Sequence, residues 1–560
     1  MPGGLLNIIS YGNQNVILNG NPSKTFFKYV YSKYTNFGLQ HFRIDFNGLR
    51  TLKLNEDSHF TFKMPRYAEL LLDTYLVFNL PDIWSPIVPP TLINDVWKPY
   101  EFQWIDDIGT NIIREVTISI GGQIIQRFSG EYIKNINERD SSETKKQQFN
   151  KMTGNTAELH NPSIAYNRYN KYPNSYFNAR NNTSLSEPSI RGRKIYVPIP
   201  FWFSANSKMA LPMVSLQYSE VQIDITLRPV RELFVINDVT LFGPDFTNAN
   251  HAKIQPNFSI EKHSMYRFLQ PPTDVTLDSS KYNVSTTIWD ADINLLSTYC
   301  FLTGEEAKVF ALNEQKYLIK DVKENEYLNT TGTKKIKLDT TGLVSSWMFY
   351  FRRSDANLRN QWSNYSNWPY LNILPFNVVR APTYGPIKIN TLVCIGPARN
   401  YKDASGNTTN TNIYISPDAT SDNDNEILSR MSILFDGQFR EIDFDSGIFN
   451  YIEKYKMSNG SSNNGLYTYN FALDTNRDEL QPSGAINLSR FKTIELGITT
   501  ITPPIDTTTS NTVICDTEGT LIGVTQRALL YTHTFNFYII EERYNILRFI
   551  GGNAGLVYAR

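Results

Sequence analysis

The stretch Thr117–Phe128, TISIGGQIIQRF, decides the fold because Ser432–Ile442, SILFDGQFREI, nearly repeats it in the second half of the chain. In both stretches apolar and polar residues alternate on either side of a two-residue turn, Gly121–Gly122 or Asp436–Gly437. Two alternating segments around such a turn predict a tight β-hairpin. One hairpin of this kind is common, so the pair indicates a repeat only if other segments recur in the same order.

Other segments do recur in the same order in both halves of the chain. Val221–Leu227 and Ile494–Ile498 alternate apolar and polar residues, which is typical of a strand with one face on a core and one in water. A proline-containing bend precedes each of them, at Pro212 and at Pro482. The remaining correspondences join Tyr196–Phe203 to Tyr467–Leu473, Thr25–Phe37 to Ser345–Asn357, and a strand that ends at Glu305–Glu306 to one that ends at Glu541–Glu542.

The repeat predicts an all-β chain of two tandem eight-stranded antiparallel jelly-roll sandwiches, a double jelly roll, with long loop insertions and few short helices. Jelly rolls fit better than immunoglobulin-like sandwiches because the inserted loops are so long. A helical pattern that starts at Gly304 is expected at the joint between the sandwiches. The expected units are an N-terminal segment (1–25), a first jelly roll (26–303) with surface-loop insertions near 135–194 and 237–280, a linker (304–335), a second jelly roll (336–545) and a C-terminal tail (546–560).

The composition argues against several classes of function. Because 54 Lys and Arg residues balance 54 Asp and Glu residues, no net basic face indicates direct contact with nucleic acid. The three cysteines lie far apart, which excludes a disulfide framework and predicts buried free thiols in a reducing compartment. The first residues lack the features of a signal peptide, and no apolar stretch is long enough to cross a bilayer, so a soluble chain is expected.

No catalytic, cofactor-binding or metal-binding residue is expected, and the chain is not expected to be an enzyme. The motifs of serine hydrolases, P-loops, zinc proteases and EF-hands do not occur, and the six histidines include no His-x-His pair. We expect Glu305–Glu306 and Glu541–Glu542 to be solvated strand ends. Adjacent residues on a strand point to opposite faces, so neither pair can converge on one sugar as glycosidase carboxylates do.

Two stretches rich in Tyr and Trp, Tyr166–Phe177 and Asn360–Tyr370, allow two interpretations. Their rings could stack on sugars, as in lectin sites, or pack loop against loop at an interface. We favour packing because interface anchors are also rich in Tyr and Trp. A carbohydrate-binding β-sandwich spike or lectin-like protein therefore stays open as the alternative function, and a glycoside hydrolase built on a sandwich is a further rival.

Four segments resemble, in the same order, the major capsid proteins of nucleocytoplasmic large DNA viruses. They are GGLLNIISYGNQNVILNGNPSKTFFKYVYSKYTNF at 3–37, FWFSANSKMALPMVSLQYSEVQI at 201–223, LQPSGAINLSRF at 480–491 and YNILRFIGGNAGLVYA at 544–559. The resemblance covers nearly the whole chain. Agreement of four separate motifs is far more specific than any one of them.

The resemblance implies a double jelly roll whose two sandwiches stand roughly perpendicular to a viral shell. It also implies a homotrimer that forms a pseudo-hexameric capsomer, and many such capsomers in the outer capsid shell of an icosahedral virion assembled in the host cytoplasm. Further implied partners are neighbouring capsomers, minor capsid and penton proteins and an internal viral membrane, which residues 1–25 and the tail are expected to meet on the inner face. Surface glycans stay open because Asn-x-Ser/Thr sequons such as Asn364 occur.

Overall fold

We describe the protein from a computed structural model. The described residues are 34–46, 48–88, 98–168, 171–173, 175, 187–237, 253–272, 282, 288–371, 398–402, 408–414, 425–460, 464–477, 481–502, 511–515, 521–526 and 533–558. The N-terminal segment predicted at 1–25 lies outside these ranges. Within them, no helix combines the length and the apolar character that crossing a membrane requires.

The first half of the chain forms one antiparallel sandwich. Its eight main strands are β1 (Gly38–Asp45), β2 (Ser58–Lys63), β3 (Leu70–Leu80), β4 (Ile113–Ile120), β5 (Gln123–Phe128), β6 (Arg193–Pro198), β7 (Val221–Leu227) and β8 (Asn294–Phe301). One sheet has the order β1-β8-β3-β6, and the other has the order β2-β7-β4-β5. Apolar side chains from both sheets share one core.

The second half forms another antiparallel sandwich. Its eight main strands are β9 (Gln315–Tyr327), β10 (Thr333–Lys337), β11 (Leu343–Arg353), β12 (Leu428–Phe435), β13 (Gln438–Asp445), β14 (Leu466–Asn470), β15 (Ile494–Thr500) and β16 (Phe535–Ile550). The two sheets have the orders β9-β16-β11-β14 and β10-β15-β12-β13.

The two sandwiches have the same topology, strand for strand. Each strand of the first half has its counterpart eight strands later. The counterpart lies in the equivalent sheet of the second sandwich, beside the equivalent neighbours. Each half is thus an eight-stranded jelly roll of two packed sheets. The predicted double jelly roll is confirmed.

Shorter elements complete the fold. In the described part of the chain, the α-helices are Ile108–Asn111, α1 (Gly130–Asp140), α2 (Glu143–Thr153), Ala157–His160, Trp202–Ala205, α3 (Gly304–Leu312) and α4 (Glu453–Met457). The π-helical turn Ile448–Ile452 precedes α4. The short strands are Ile87–Val88, Lys98–Pro99, Phe102–Trp104, Leu211–Pro212, Phe234–Asn237, Lys253–Ile254, Ala398–Lys402, Thr408–Tyr414, Ile486–Asn487, Asn511–Cys515, Leu521–Gln526 and Asn553–Leu556.

Both predicted hairpins are present, and their turns are of the same type. Gly121 and Gly122 have φ angles of 58° and 83°, and Asp436 and Gly437 have φ angles of 49° and 79°. Two consecutive left-handed residues make a type I′ turn, whose twist matches that of the flanking strands. The carboxylate of Asp436 also accepts two backbone N–H bonds of 2.8 Å from the residues just before β15. This aspartate therefore ties the second hairpin to its neighbouring strand.

The alternating strands behave as their sequences predict. β7 and β15 each alternate buried and half-buried residues over seven positions. Ile223 packs in the first core and Leu496 in the second, both without solvent exposure. Burial of one such side chain contributes roughly 1.5–3 kcal/mol, so the pattern sets which face of each strand turns inward.

One correspondence predicted from the sequence is wrong. The sequence matches Ser345–Asn357 to Thr25–Phe37, but β11 (Leu343–Arg353) occupies the same place in its sheet as β3 (Leu70–Leu80). Both strands are rich in apolar and aromatic residues, as is the stretch from Thr25. Aromatic content alone cannot distinguish among them, whereas the neighbours in the sheet can.

The first insertion, predicted near 135–194 as a surface loop, begins with two helices. Ser129 caps the first of these, α1, by accepting the backbone N–H of Tyr132 at 3.2 Å. The side chains of Tyr132, Ile133 and Ile136 on this helix are buried. The surface-loop interpretation is therefore wrong for the part of α1 that it includes, because Ile136 and the paired Arg139 are buried. In the second insertion, predicted near 237–280, the described part 253–272 is mostly irregular, as expected of a loop.

The joint and the C-terminal end are more ordered than a linker and a tail. Within the predicted linker, α3 follows the first sandwich, and β9 already pairs with β16 along thirteen positions of the second. Within the predicted tail, Asn553–Leu556 folds back on β16 as a hairpin. This hairpin touches the first sandwich, because Tyr218 donates its N–H to the carbonyl of Gly552 at 3.1 Å.

Candidate functional site at the seam between the sandwiches

We call the contact surface between the two sandwiches the seam; α1, β5, β9, β11, β16 and the loop 360–370 form it. Glu541 and Glu542 lie here in the middle of β16, and both have no solvent exposure. β16 is a central strand that pairs with β9 on one side and with β11 on the other. The expectation of solvated strand ends is therefore wrong for this pair, since central strands of a packed sheet are covered on both faces.

Glu542 faces α1 and binds three side chains. Arg139 donates from Nη2 at 3.0 Å, Tyr132 donates its hydroxyl at 3.0 Å, and Ser346 on β11 donates its hydroxyl at 2.7 Å. Burial opposes ionisation of Glu542, but Arg139 and Lys320 outweigh it and lower the pKa of the carboxyl to about 2. The pair stays charged at neutral pH, and each partner makes burial of the other tolerable.

A second buried charge cluster lies along the same helix. Glu131 on α1 accepts from Arg228 of the first sandwich at 2.7 Å and from Arg352 on β11 at 3.3 Å. Burial would raise the pKa of Glu131, but the two guanidinium groups lower it overall. The ring of Trp362 covers the Arg228 guanidinium at 4.4 Å. One carboxylate thus joins cations from both halves.

A third cluster continues this seam. The ammonium of Lys134 on α1 lies 2.9 Å from the carboxylate of Asp107, and Ser363 donates its hydroxyl to the same carboxylate at 2.7 Å. Burial would raise the pKa of Asp107, but Lys134 and the Ser363 hydroxyl bond lower it overall. Helix α1 therefore supplies three charged side chains, Glu131, Lys134 and Arg139, to contacts that involve residues of the second half.

These contacts can fix the orientation of the two sandwiches. A relative rotation would separate partners that are almost wholly removed from water, and an unpaired buried charge costs several kcal/mol. Apolar packing acts in the same direction, because the first core continues into Met348, Ile540 and Leu547 of the second half. The chemistry of the seam is therefore structural: it holds two jelly rolls as one rigid unit.

The aromatic stretch Asn360–Tyr370 packs against this seam within the chain, whereas the favoured interpretation placed the packing at an interface between copies. Tyr365 stacks on Tyr350 of β11 with ring centroids 4.1 Å apart. Trp362 donates its indole N–H to the carbonyl of Glu232 at 3.0 Å. The sequon residue Asn364 is buried and donates to the carbonyl of Trp368, so it is not open to a glycan.

Other candidate residues lie away from the seam. Glu305 is exposed and Glu306 half-buried in the first turn of α3, in agreement with the solvated character predicted for that pair, although they belong to a helix. Cys300 is a buried free thiol, as predicted, and burial raises its pKa. In the stretch Tyr166–Phe177, Tyr166 is exposed and Tyr172 is buried, where its hydroxyl donates to the carbonyl of Phe102.

Comparisons with known proteins agree with this architecture. A family model described as the N-terminus of the major capsid protein matches residues 25–269, and one described as the large eukaryotic DNA virus major capsid protein matches residues 306–555. The chain belongs to the major capsid protein family of large DNA viruses. The first match includes strands β1 to β7 of the first sandwich, and the second match includes strands β9 to β16 of the second.

Relatives of this capsid protein match along its whole length. It is 25% identical to the major capsid protein of Phaeocystis pouchetii virus and 24% identical to that of Paramecium bursaria Chlorella virus 1, with 100% of both chains covered in each case. Among solved structures, VP54 of PBCV-1 superposes with a TM-score of 0.58 at 20% identity, over 96% of this chain and 100% of that one. The Faustovirus major capsid protein gives a TM-score of 0.56 at 11% identity, over 93% and 92%.

This capsid protein is therefore a structural component of a virion. The two solved structures support the double jelly-roll fold. The carbohydrate-binding alternative left open by the sequence finds no support in these matches.

Proposed function

We propose that this capsid protein forms a homotrimer in which six similar sandwiches make a pseudo-hexameric capsomer, and that such capsomers tile the outer shell of an icosahedral virion. The shared strand order of the two halves supports the proposal, because three copies of a molecule with two equivalent halves present six equivalent units. A threefold assembly can then fill a position of sixfold shape.

We infer how neighbouring copies join from a contact inside the chain. In the first half, Ser129–Gly130 follows the hairpin β4–β5 and starts α1, whose Ile133 and Ile136 are buried at the seam with 2% and 5% exposure. In the second half, Ser446–Gly447 follows the hairpin β12–β13 and starts the helical segment Ile448–Met457. The two hairpins and the helices after them are therefore equivalent.

In the described part of the chain, no second sandwich covers the second-half helical segment as one covers α1. Its side chains Tyr451, Ile452 and Tyr455 are 57%, 56% and 94% exposed, and Phe439 and Ile442 of β13 are 62% and 60% exposed. An exposed apolar patch of this kind marks an interaction surface. We infer that this patch meets the first sandwich of the next copy, as α1 meets the second sandwich of its own chain. This unpaired equivalent of the seam is the observation that carries the proposal.

Such a contact is head-to-tail, so it must close into a ring to avoid endless growth. Closure after three copies gives six sandwiches in alternating order. Contacts of an obligate oligomer bury on the order of 2,000 Å² or more and are partly apolar, in keeping with the exposed aromatic side chains on this face. The finite ring also covers the edge strand β13, which would otherwise invite aggregation.

Light scattering on the purified protein, together with negative-stain images, tests the proposal. We expect a mass three times that of the subunit and particles with hexagonal outlines. The change Tyr455→Glu should give folded monomers, while Leu49→Glu, at a residue 85% exposed outside the patch, should leave the trimer intact. A wild-type monomer, or a Tyr455→Glu trimer of unchanged stability, contradicts the proposal.

The proposal extends to partners in the shell. We infer contacts with neighbouring capsomers, with minor capsid and penton proteins and with an internal membrane, made partly by residues 1–25 on the inner face, and assembly in the host cytoplasm. Deletion of residues 1–20 should leave trimers intact and impair shell assembly; dissociated trimers contradict this role. We also infer that the chain is no enzyme, because the carboxylates of Glu541 and Glu542 are sealed from any substrate.

A further inference from the structure

A cavity of about 230 Å³ opens at the seam, between β9 and the loop that follows β14. Its lining includes four cationic side chains, Lys208, Lys316, Lys320 and Arg477, and one carboxylate, that of Asp474. The volume is far above what one water molecule needs. Lys208 belongs to the first half of the chain, and the other three cations belong to the second half. Any anion in the cavity would therefore lie between the sandwiches.

Two of these cations are half-buried without an ionic partner among the described residues. The Lys320 ammonium donates to the carbonyl of Thr475 at 3.0 Å, and Arg477 donates from Nη2 to the carbonyls of Pro200 at 2.7 Å and Phe201 at 3.1 Å. These neutral acceptors position the two side chains but do not neutralise them. Cations removed from water are normally paired, because desolvation penalises the charged form.

The surroundings of Lys320 contain charges of both signs. Burial has the largest effect on its ammonium and lowers the pKa; Glu542 and Asp140 oppose this effect, and Arg139 and Arg477 add to it. Both carboxylates form ion pairs with Arg139, at 3.0 Å and 2.7 Å. Among the described residues, Lys320 therefore shares their charge at longer range and has no ion pair of its own.

The remaining charged side chains leave the cavity net positive. Asp474 accepts the backbone N–H of Asn476 at 2.8 Å, and its negative charge offsets one of the four cations. Lys316 pairs with Glu314 at 3.2 Å, and Lys208 is exposed. The cavity thus keeps two positive groups, Lys320 and Arg477, that lack an ionic partner in the described part of the chain.

We propose that this cavity binds a small oxyanion of the phosphate type, held by Arg477 and Lys320, and that the bound anion reinforces the seam. A guanidinium group offers paired N–H donors that match the oxygens of such an anion, and an ammonium group adds a point charge. This proposal does not depend on the trimer, because every residue that it uses belongs to one chain.

Thermal unfolding and calorimetric titration of the full chain with inorganic phosphate test the proposal, with chloride at equal ionic strength as the reference. We expect phosphate to raise the melting temperature above that in chloride and to bind with measurable heat. Arg477→Gln and Lys320→Gln should each weaken phosphate binding about tenfold or more, the loss expected for one charge-assisted contact.

Three variants separate binding from general stability. Lys63→Gln removes one charge from the exposed pair with Glu220 and should keep the full phosphate response. Lys208→Gln, at an exposed residue whose loss cannot unfold the chain, should reduce the response slightly. Lys320→Gln should change stability little without phosphate, because the relief of a desolvated ammonium offsets the loss of its attraction for Glu542. A wild type that does not distinguish phosphate from chloride, or a Lys320→Gln variant with the full response, overturns the proposal.

Discussion

Arg139 on α1 donates to Glu542 on β16 at 3.0 Å, across 403 residues of sequence, and neither side chain has any exposure to solvent. The two residues belong to different jelly rolls. Their contact makes the relative orientation of the sandwiches a property of one chain. The proposed capsomer, in which each subunit occupies two adjacent corners of a hexagon, requires such rigidity.

We expect loss of one partner of this pair to destabilise the protein strongly. Glu542→Ala leaves Arg139 buried without its partner across the seam, so urea unfolding should show a loss of about 3–5 kcal/mol. The double change Arg139→Met with Glu542→Leu should cost less than the sum of the two single changes, because neither member of the pair then stays buried without the other. The exposed pair of Lys63 and Glu220 is the control, and Lys63→Ala should change stability by about 1 kcal/mol or less. A mild effect of Glu542→Ala would show that water reaches the seam.

Glu541 should make the protein less stable at alkaline pH. Burial raises the pKa of its carboxyl from 4.5 to about 7, although Thr340 donates a hydroxyl bond to it. Since the folded value lies above the unfolded one, the contribution to stability is complete below pH 4.5 and is lost as the pH rises through about 7. Glu541→Gln should therefore exceed wild type by about 2–3 kcal/mol at pH 8 and equal it near pH 4. Urea unfolding at the two pH values checks this, and parallel curves would contradict it.

Glu542 should show the opposite dependence on pH. Its pKa is lowered from 4.5 to about 2, because Arg139 and Lys320 outweigh the effect of burial. The stabilisation is present above pH 4.5 and is lost as the pH falls through about 2. Stability measured by urea from pH 5 to pH 2 should fall steeply in wild type and less in Glu542→Gln. An equal slope in both proteins would assign the acid sensitivity to other carboxylates.

The hairpin turn of the second sandwich should depend on its glycine. Gly437 has a φ angle of 79°, and no atom lies within 4 Å of the place that a Cβ atom would take, so conformation rather than space requires glycine there. Gly437→Ala should cost about 1–2 kcal/mol in urea unfolding. Gly304→Ala is the matched control, because that site is equally open, lies in the first turn of α3 and lacks a positive φ. It should be neutral or stabilising, and equal losses in the two variants would refute the conformational explanation.

The C-terminal hairpin should contribute to the stability of the single subunit. Removal of residues 551–560 deletes the partner of the Tyr218 N–H and the 2.8 Å bond between Ser219 and Asn553, so we expect a loss of about 2 kcal/mol. Removal of residues 559–560 alone should have no such effect. The longer truncation could instead impair only shell assembly and leave unfolding by urea unchanged. That result would contradict this prediction and support the role at the inner face that the sequence predicts for the tail.

The repeated strands could be predicted because their signal is local. Alternation in β7 and β15, and the Gly-Gly and Asp-Gly turns, depend on residues that are neighbours in sequence. The order of these segments then indicated two equivalent sandwiches. The match of Ser345–Asn357 to Thr25–Phe37 failed because aromatic strands resemble one another until their sheet neighbours are known.

The seam could not be predicted because its chemistry joins distant segments. Glu541–Glu542 reads as a solvated pair unless Arg139, 403 residues away from Glu542, is known to face it. Helix α1 has a capping signal in Ser129 and apolar residues at Tyr132, Ile133 and Ile136. That pattern could have indicated a helix. The stretch from Asn137 onward nevertheless indicates a surface loop, because it is rich in Asn, Ser and Tyr and poor in aliphatic residues.

The place of β16 in the order of strands has a consequence for biosynthesis. This strand is central to its sheet and carries the acceptor for Arg139, yet it is synthesised after the other fifteen main strands. A product that stops before β16 lacks both the central strand of the second jelly roll and the contact to α1. We therefore expect the two sandwiches to lock together only after translation has passed β16.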